Sequence, residues 1–341
     1  MRNSILLILL ISLFACNSVS EKTKETTNEG ATEVVIKGEA QGTTYTIKYL
    51  AEDYEEGLKE KFDSILKAID LSMSTYVPTS NISRLNEGDT IELDDMFLSI
   101  YQLSSNINKE TNGAFDPTIG PLIKAWGFDY SNPQRMDTSL VDSLLKSCGF
   151  KQFALEGNRM YTNNKMARIN FNAVAQGYSV DVMKLLLEKR NIQNYYIELG
   201  GELIVKGKNK FGDWWIIGID RPDGTNLERN LAQRISLENS AMATSGNYRK
   251  FYEVDGKRYS HTLNPKTGYP AENSLLSATV ITNDCGTADA LATAFMVMGK
   301  EKSIHYLKNH TKTKAYLISS SVNGEFETYV TPNLEPYLLK D

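Results

Sequence analysis

The sequence is poor in several features that would place it in a large class. It has three cysteines and three histidines in 341 residues. Apart from Cys16 near the N-terminus, only Cys148 and Cys285 remain, and two thiols make no disulfide framework. Pairing between them stays open at this stage. Lysine and arginine total 37 against 42 acidic residues, a net charge of −5. No basic field exists to hold a nucleic acid, so an anionic ligand needs a metal or local backbone donors. No apolar run reaches the about 20 residues of a membrane-spanning helix. No Rossmann fingerprint, P-loop or fixed-period repeat is present.

What is present is an ordinary globular mixture, 41% hydrophobic and 23% charged, long enough for one large domain or two intimate ones. After Arg2, the short apolar run Ser4 to Ala15 suits the core of a signal peptide. It ends in Leu13-Phe14-Ala15-Cys16, which resembles a bacterial lipobox, where the cysteine is lipidated and becomes the new N-terminus. A plain signal peptide with a chance cysteine is the alternative. Residues 17–33 are polar and bury too little to order themselves, so they read as a flexible tether. The expected organisation is a leader over 1–16, a tether over 17–33 and one folded domain over 34–341. The expected address is the bacterial cell envelope, lipid-anchored and extracytoplasmic on the periplasmic face.

Within the domain, Val34 to Leu50 alternates as two strands about Gly42. Helical spacing predicts helices from Asp53 to Ile69, Asp94 to Asn112 with Gly113 as C-cap, Ser139 to Lys146, Gly177 to Lys189, Thr287 to Met298 and Lys302 to Asn309. Strands are expected around Phe153 to Tyr161, Ala167 to Asn172, Tyr195 to Leu199, Glu202 to Val205, Trp214 to Ile219 and Ser277 to Thr282. Asp255-Gly256 and Asn323-Gly324 read as hairpin turns. Strands and helices mix without βαβ alternation, which favours an α+β fold.

Three local patterns carry chemistry. In Asp289-Ala290-Leu291-Ala292-Thr293 an acid and a hydroxyl stand four apart on one face of an apolar helix. Two oxygen ligands there suit a hard cation such as Mg²⁺, although a helix-start acid and a satisfied hydroxyl explain the spacing equally. His261 lies where a strand enters a turn, and its imidazole could accept a hydroxyl proton near neutral pH; a structural histidine is the plain alternative. Gly42, Gly113 and Gly200-Gly201 could admit a phosphate or ring to the backbone, or simply turn the chain. The pair Trp214-Trp215 could stack on a ligand ring or sit in a half-buried strand.

Taken in order, these segments resemble the ApbE family of FAD:protein FMN transferases. The matching pieces begin with Gln41-Gly42-Thr43-Thr44-Tyr45, Met73-Ser74-Thr75-Tyr76 and Asn81-Ile82-Ser83-Arg84-Leu85-Asn86. They continue with Gly113-Ala114-Phe115-Asp116-Pro117-Thr118, Trp126-Gly127-Phe128 and Asn170-Phe171-Asn172-Ala173-Val174-Ala175-Gln176-Gly177-Tyr178. They end with Glu198-Leu199-Gly200-Gly201, Ala243-Thr244-Ser245-Gly246, His261-Thr262-Leu263-Asn264-Pro265 and the Asp289 to Thr293 stretch.

The resemblance implies an α+β unit with a T-fold-like core and a smaller second lobe. It implies Mg²⁺-dependent transfer of FMN from FAD to a threonine hydroxyl of acceptor proteins, typically membrane redox-complex subunits, with release of AMP. Rivals are an FAD pyrophosphatase giving FMN and AMP, and a non-catalytic FAD-binding lipoprotein. By family position the metal takes Ala173 (through its carbonyl), Asp289 and Thr293, and His261 is the catalytic base. FAD contacts fall to Gln41, Tyr76, Ala114, Phe115, Asp116, Asn170, Gln176 and Leu263. Many members carry aspartate at the position of Asn170, lysine at Gln176 and methionine at Gln41. Two amides in place of an acid and a base are expected to act as a coupled pair, because changing one alone would strand a charge.

Overall fold

The computed structural model describes residues 31–53, 55–129, 131–223, 230–247, 251–254, 257–260 and 262–340. In chain order the strands are β1 (Thr32–Ala40), β2 (Thr43–Ala51), β3 (Ile91–Glu92), β4 (Ala154–Glu156), β5 (Arg159–Tyr161), β6 (Tyr195–Leu199), β7 (Glu202–Lys206), β8 (Trp215–Asp220), β9 (Leu231–Leu237), β10 (Ser240–Gly246), β11 (Phe251–Val254), β12 (Lys257–Ser260), β13 (Leu275–Thr282), β14 (Lys314–Ser320) and β15 (Phe326–Val330). The helices are α1 (Leu58–Met73), α2 (Asn81–Asn86), α3 (Asp95–Glu110), α4 (Gly120–Trp126), α5 (Thr138–Leu145), α6 (Ala175–Glu188), α7 (Cys285–Met298) and α8 (Lys300–Asn309). The α+β expectation holds.

Eight strands form one antiparallel sheet in the order β1-β2-β6-β7-β10-β13-β14-β15. Spatial order follows chain order, so the sheet has two distinct ends. The β1–β2 turn at Gln41-Gly42 and the β6–β7 turn at Gly200-Gly201 lie at one end. Thr32, Ala51, Tyr195 and Lys206 lie at the other. Helices α1, α6 and α7 cover one face, where Tyr45, Ile47, Phe62, Leu66, Met183 and Ile197 interlock. The β8–β9 hairpin covers the other face through Trp215, Ile217, Ile235 and Leu237, packed on Leu203, Val205 and Ile318. Burial on both faces explains why β7 is apolar without alternation. Gly38 sits opposite Tyr45, and a Cβ at Gly38 would lie 2.5 Å from the Tyr45 ring carbon Cζ. The glycine therefore gives the ring its place.

The smaller sheet β3-β5-β4, helices α2 to α5, the β11–β12 hairpin and α8, which packs on α7 and β14, complete the described residues, with α4, α5 and Leu263 sharing a satellite core. Sequence reading differs from the structure in instructive places. Residues 167–172 form no strand. The buried Asn86 amide, 83 residues away, takes both backbone groups of Ile169, at 2.9 and 2.8 Å. The Asn170 N–H donates to the Pro117 carbonyl at 2.7 Å. A distant side chain thus satisfies backbone that a ladder would otherwise need. The first helix starts at Leu58 instead of Asp53, after Gly57 at φ +78°. The short helices α2 and α4 and strands β3, β9 and β10 leave no clear periodicity in the sequence, whereas β14 and β15 pair across Asn323-Gly324 as expected. Asp255-Gly256 lies outside the described residues, although β11 and β12 pair across it as expected.

Candidate active site

The site is built where α6 and α7 cross under the Gln41 and Gly200 end of the sheet. α7 is apolar almost all round, and ten of its residues are buried; such a helix has no solvent face. Two carboxylates fix it against α6. Asp181 of α6 accepts the N–H groups of Cys285 (3.0 Å) and Gly286 (2.8 Å), the exposed donors at the start of α7. One turn further along α7, Asp289 Oδ2 accepts the N–H of Gly177, in the first turn of α6, at 3.1 Å. Each helix thus receives a carboxylate from the other. Asp284 caps α7 as well, accepting from the Thr287 N–H at 2.9 Å. Contact is tight at Gly177, where a Cβ would lie 2.5 Å from the Cys285 carbonyl oxygen.

Asp289 is 7% exposed and has that single hydrogen bond. Burial pushes its carboxyl up to about 7, and the Gly177 N–H pulls it partly back. In an unbroken helix the Gly177 N–H would bond the Ala173 carbonyl. Here it turns to Asp289, and no N–H of the described residues donates to Ala173. Thr293 is half-buried, with its hydroxyl 3.3 Å from that of Ser245 on β10. Carboxylate, carbonyl and hydroxyl oxygens therefore gather about one helix crossing. Three oxygen donors with a single charge fit Mg²⁺, which keeps open positions for phosphate oxygens and water. Among the described residues no three His, Cys, Asp or Glu side chains cluster as metal ligands.

The remaining expected contacts fall into groups. Gln41 and Gln176 belong with the helix crossing. Gln41, at φ +53°, donates to Ser179 at 2.8 Å, while its Oε1 is buried without a partner. The Gln176 amide lies over Gly200, 3.0 Å from where a Cβ would be. Tyr76 is 56% exposed, and its hydroxyl accepts from Asn172 at 2.9 Å. It shares a cleft of ≈ 430 Å³ with Asn170, Lys124, Arg168 and Asp129. Asn170 is buried, and its Oδ1 accepts the Asn172 N–H at 2.8 Å. Asn170 and Gln176 make no hydrogen bond to each other, so pairing between these amides does not occur.

Asp116 caps its own turn through the Thr118 N–H (2.8 Å) and hydroxyl (2.6 Å), and burial raises its pKa. Phe115 and Leu263 point into hydrophobic clusters, so they can offer a ligand only backbone groups. Ala114 lines a separate cavity of ≈ 560 Å³ with Asn264 and Lys266. His261 lies outside the described residues.

Ser245, Asn172 and Gly177 took part unforeseen; only the Ala243 to Gly246 and Asn170 to Tyr178 matches hinted at them. Of the tryptophan pair, Trp214 is half-buried and Trp215 is structural. Trp215 is buried, donates to the Lys206 carbonyl at 3.2 Å and leans on Tyr196. Cys148 and Cys285 are free buried thiols. Burial raises both, Cys148 to about 12, which leaves them unreactive.

An antiparallel sheet backed by crossed helices, with oxygen donors at the crossing and a separate polar cleft beside Tyr76, defines an α+β protein with a candidate active site. A model of the ApbE family matches residues 41–317. The FAD:protein FMN transferase of Vibrio cholerae is 34% identical over 321 residues, covering 91% of this chain and 94% of that protein. That of Haemophilus influenzae is 34% identical over 305 residues, 85% and 88% of the two chains. The solved flavin transferase ApbE from Vibrio cholerae superposes with a TM-score of 0.79 at 32% identity, covering 90% of this chain and 100% of that one. The apo flavinyl transferase ApbE of Pseudomonas stutzeri gives 0.80 at 30%, over 90% and 97%. The chain belongs to the ApbE family of flavin-transferring enzymes.

Proposed function

We propose that this protein transfers FMN from FAD to a threonine hydroxyl of acceptor proteins in a Mg²⁺-dependent reaction that releases AMP. The observation that carries the reading is the oxygen cluster of Asp289, Thr293 and the undonated Ala173 carbonyl at the α6–α7 crossing. These three groups would hold the ion. When bound, it supplies positive charge against the diphosphate and departing AMP. Tyr76 offers an exposed ring for stacking, and Asn170, Lys124 and Arg168 line the cleft beside it. The buried Gln41 Oε1 has no hydrogen-bond partner. His261, by its family position, takes the threonine proton. The threonine oxygen then bonds the FMN phosphorus, and the bridging P–O bond breaks toward AMP.

Incubation with FAD, Mg²⁺ and a threonine-bearing acceptor fragment should add one FMN mass to the acceptor. Free FMN and AMP with an unmodified acceptor would make the protein a pyrophosphatase. Intact FAD would make it a carrier. Losing a general base costs about 10²–10⁴-fold, so His261→Ala should slow transfer by that factor with FAD affinity retained. The proposed acceptors are extracytoplasmic parts of membrane redox complexes. The proposed address is the periplasmic face, through lipidated Cys16.

A further inference from the structure

The loop between β7 and β8 is a tightly organised turn that presents an aromatic ring to solvent. Asn209 Oδ1 accepts the N–H groups of Phe211 (2.8 Å) and Asp213 (3.2 Å). The Asn209 N–H donates to the Asp213 carbonyl at 2.8 Å, and the Gly212 N–H to the Asn209 carbonyl at 3.0 Å. Phe211 stands at the tip, 77% exposed, the most exposed aromatic side chain among the described residues. Such a ring left in water keeps its apolar surface unburied. Lys210 Nζ lies 5.3 Å from its ring centre, and Lys208 Nζ 5.4 Å from that of Trp214. Aromatic rings flanked by lysines suit the headgroup zone of a bilayer, where rings enter the acyl boundary and ammonium groups meet phosphates.

Position within the fold selects this partner over others. Lys210 Nζ bonds Glu33 Oε2 at 3.2 Å, so the loop adjoins the start of β1, where the chain arrives from Cys16. A polar chain as long as the stretch that separates Cys16 from Thr32 typically spans roughly 20 Å, so a lipid on Cys16 would stay near this end of the domain. The sheet then sets the direction of the site. Thr32 and Lys206 mark one end, and Gln41-Gly42 and Gly200-Gly201 the other. At about 3.3 Å per residue, β1 separates the two ends by roughly 26 Å.

We propose that the 207–214 loop rests on the phospholipid surface as a second contact beside the lipid on Cys16. Phe211 enters the headgroup region, and the active site faces away from the bilayer. This inference depends on the lipid anchor proposed above. One ring and two lysines bind weakly alone, but a tether makes the contact intramolecular, and one acyl signal gains most from such a second one. The orientation holds the site roughly 26 Å above the headgroups, within reach of acceptor segments that project from the membrane.

The test uses the full lipid-bearing chain on vesicles of phosphatidylethanolamine and phosphatidylglycerol containing a brominated phospholipid. A fluorophore is placed at Phe211→Cys, and separately at Val322→Cys in the exposed β14–β15 turn at the site end. Both natural thiols of the domain are buried and should not label. The expected result is flotation with vesicles and bromine quenching at position 211 but not at 322. Flotation without quenching at 211, or with equal quenching at both, overturns the orientation alone and leaves the anchor standing. Concentration-dependent shielding at 211 without bromine quenching would assign the loop to a second copy of the chain and also overturn it. Failure of the unaltered chain to float would overturn the anchor and the orientation together.

Discussion

Asp289 reaches across from α7 to accept the Gly177 N–H at 3.1 Å, at a point where α6 has no room for a side chain. A Cβ at Gly177 would stand 2.5 Å from the Cys285 carbonyl oxygen and 2.8 Å from Asp289 Cβ. Both neighbours belong to a buried helix that cannot yield cheaply. Gly177→Ala should therefore destabilise the fold by about 1–3 kcal/mol, a usual cost of overpacking. It should also weaken Mg²⁺ binding by moving Asp289 from its donor. Urea unfolding and a metal titration read the two effects; an unaltered urea midpoint would show that the helices separate freely.

The pH response of Asp289 follows from its burial. Its carboxyl stands at about 7 in the fold, against about 3.9 in an unfolded chain. A raised carboxyl favours the metal-free fold in its neutral form. Its contribution is complete below the unfolded value and disappears as pH rises through about 7. The metal needs the carboxylate. Mg²⁺ affinity should thus fall as pH drops through about 7, approaching tenfold per unit below it. Melting curves with and without Mg²⁺ across that range measure both trends. Asp289→Asn should flatten the first and abolish the second.

Asp181 bears from a distance on Asp289, the proposed metal ligand. It holds the start of α7 through two N–H groups, one turn before Asp289. Charge-assisted bonds of this kind are worth about 1.5–3 kcal/mol. Asp181→Ala should lose more stability than Asp181→Asn, which keeps one acceptor oxygen. Both should raise the Mg²⁺ concentration for half-saturation, measured calorimetrically. A lowered Tm with unchanged Mg²⁺ binding would reduce Asp181 to a helix cap.

In the ligand-free protein Asn170 accepts the Asn172 N–H and the Gln176 amide lies beside the Gly200 turn, so the two side chains have separate neighbours. Without ligand, Asn170→Asp and Gln176→Lys should add in stability to within about 0.5 kcal/mol. Coupling should arise only in FAD affinity, where one ligand meets both. A double-mutant cycle on each property distinguishes the two, and coupling in the ligand-free protein would contradict this reading.

Cys16→Ser should release the protein from cell membranes into the soluble fraction. Membrane retention unchanged by that substitution would remove the lipid anchor.

Several features of the site could be read along the chain. Asp289 and Thr293 are one helical turn apart, so their shared face is a local fact of spacing. The Gln41-Gly42 and Gly200-Gly201 turns are equally local, since alternating apolar residues stop there and glycine starts a new direction. Residues 167–172 show the limit. Their alternation suggested a strand, but Asn86 takes the Ile169 backbone groups from far along the chain. No window of neighbouring residues contains that partner.

The sequence by itself determined most of the helices, the hairpin turns, the family and the chemical types available at the site, because periodicity, turns and motif order are local properties. Tertiary structure alone decided that Gly177 meets Asp289, that the Ala173 carbonyl is left undonated and that Asn170 and Gln176 stand apart. It also set the start of β1 and Phe211 at the end of the sheet opposite the site. These are consequences of how α6 crosses α7 and how eight strands pair in chain order. Hydrogen bonds between groups more than a hundred residues apart, such as Gly177 to Asp289, exist only once the sheet has brought the two helices onto one face.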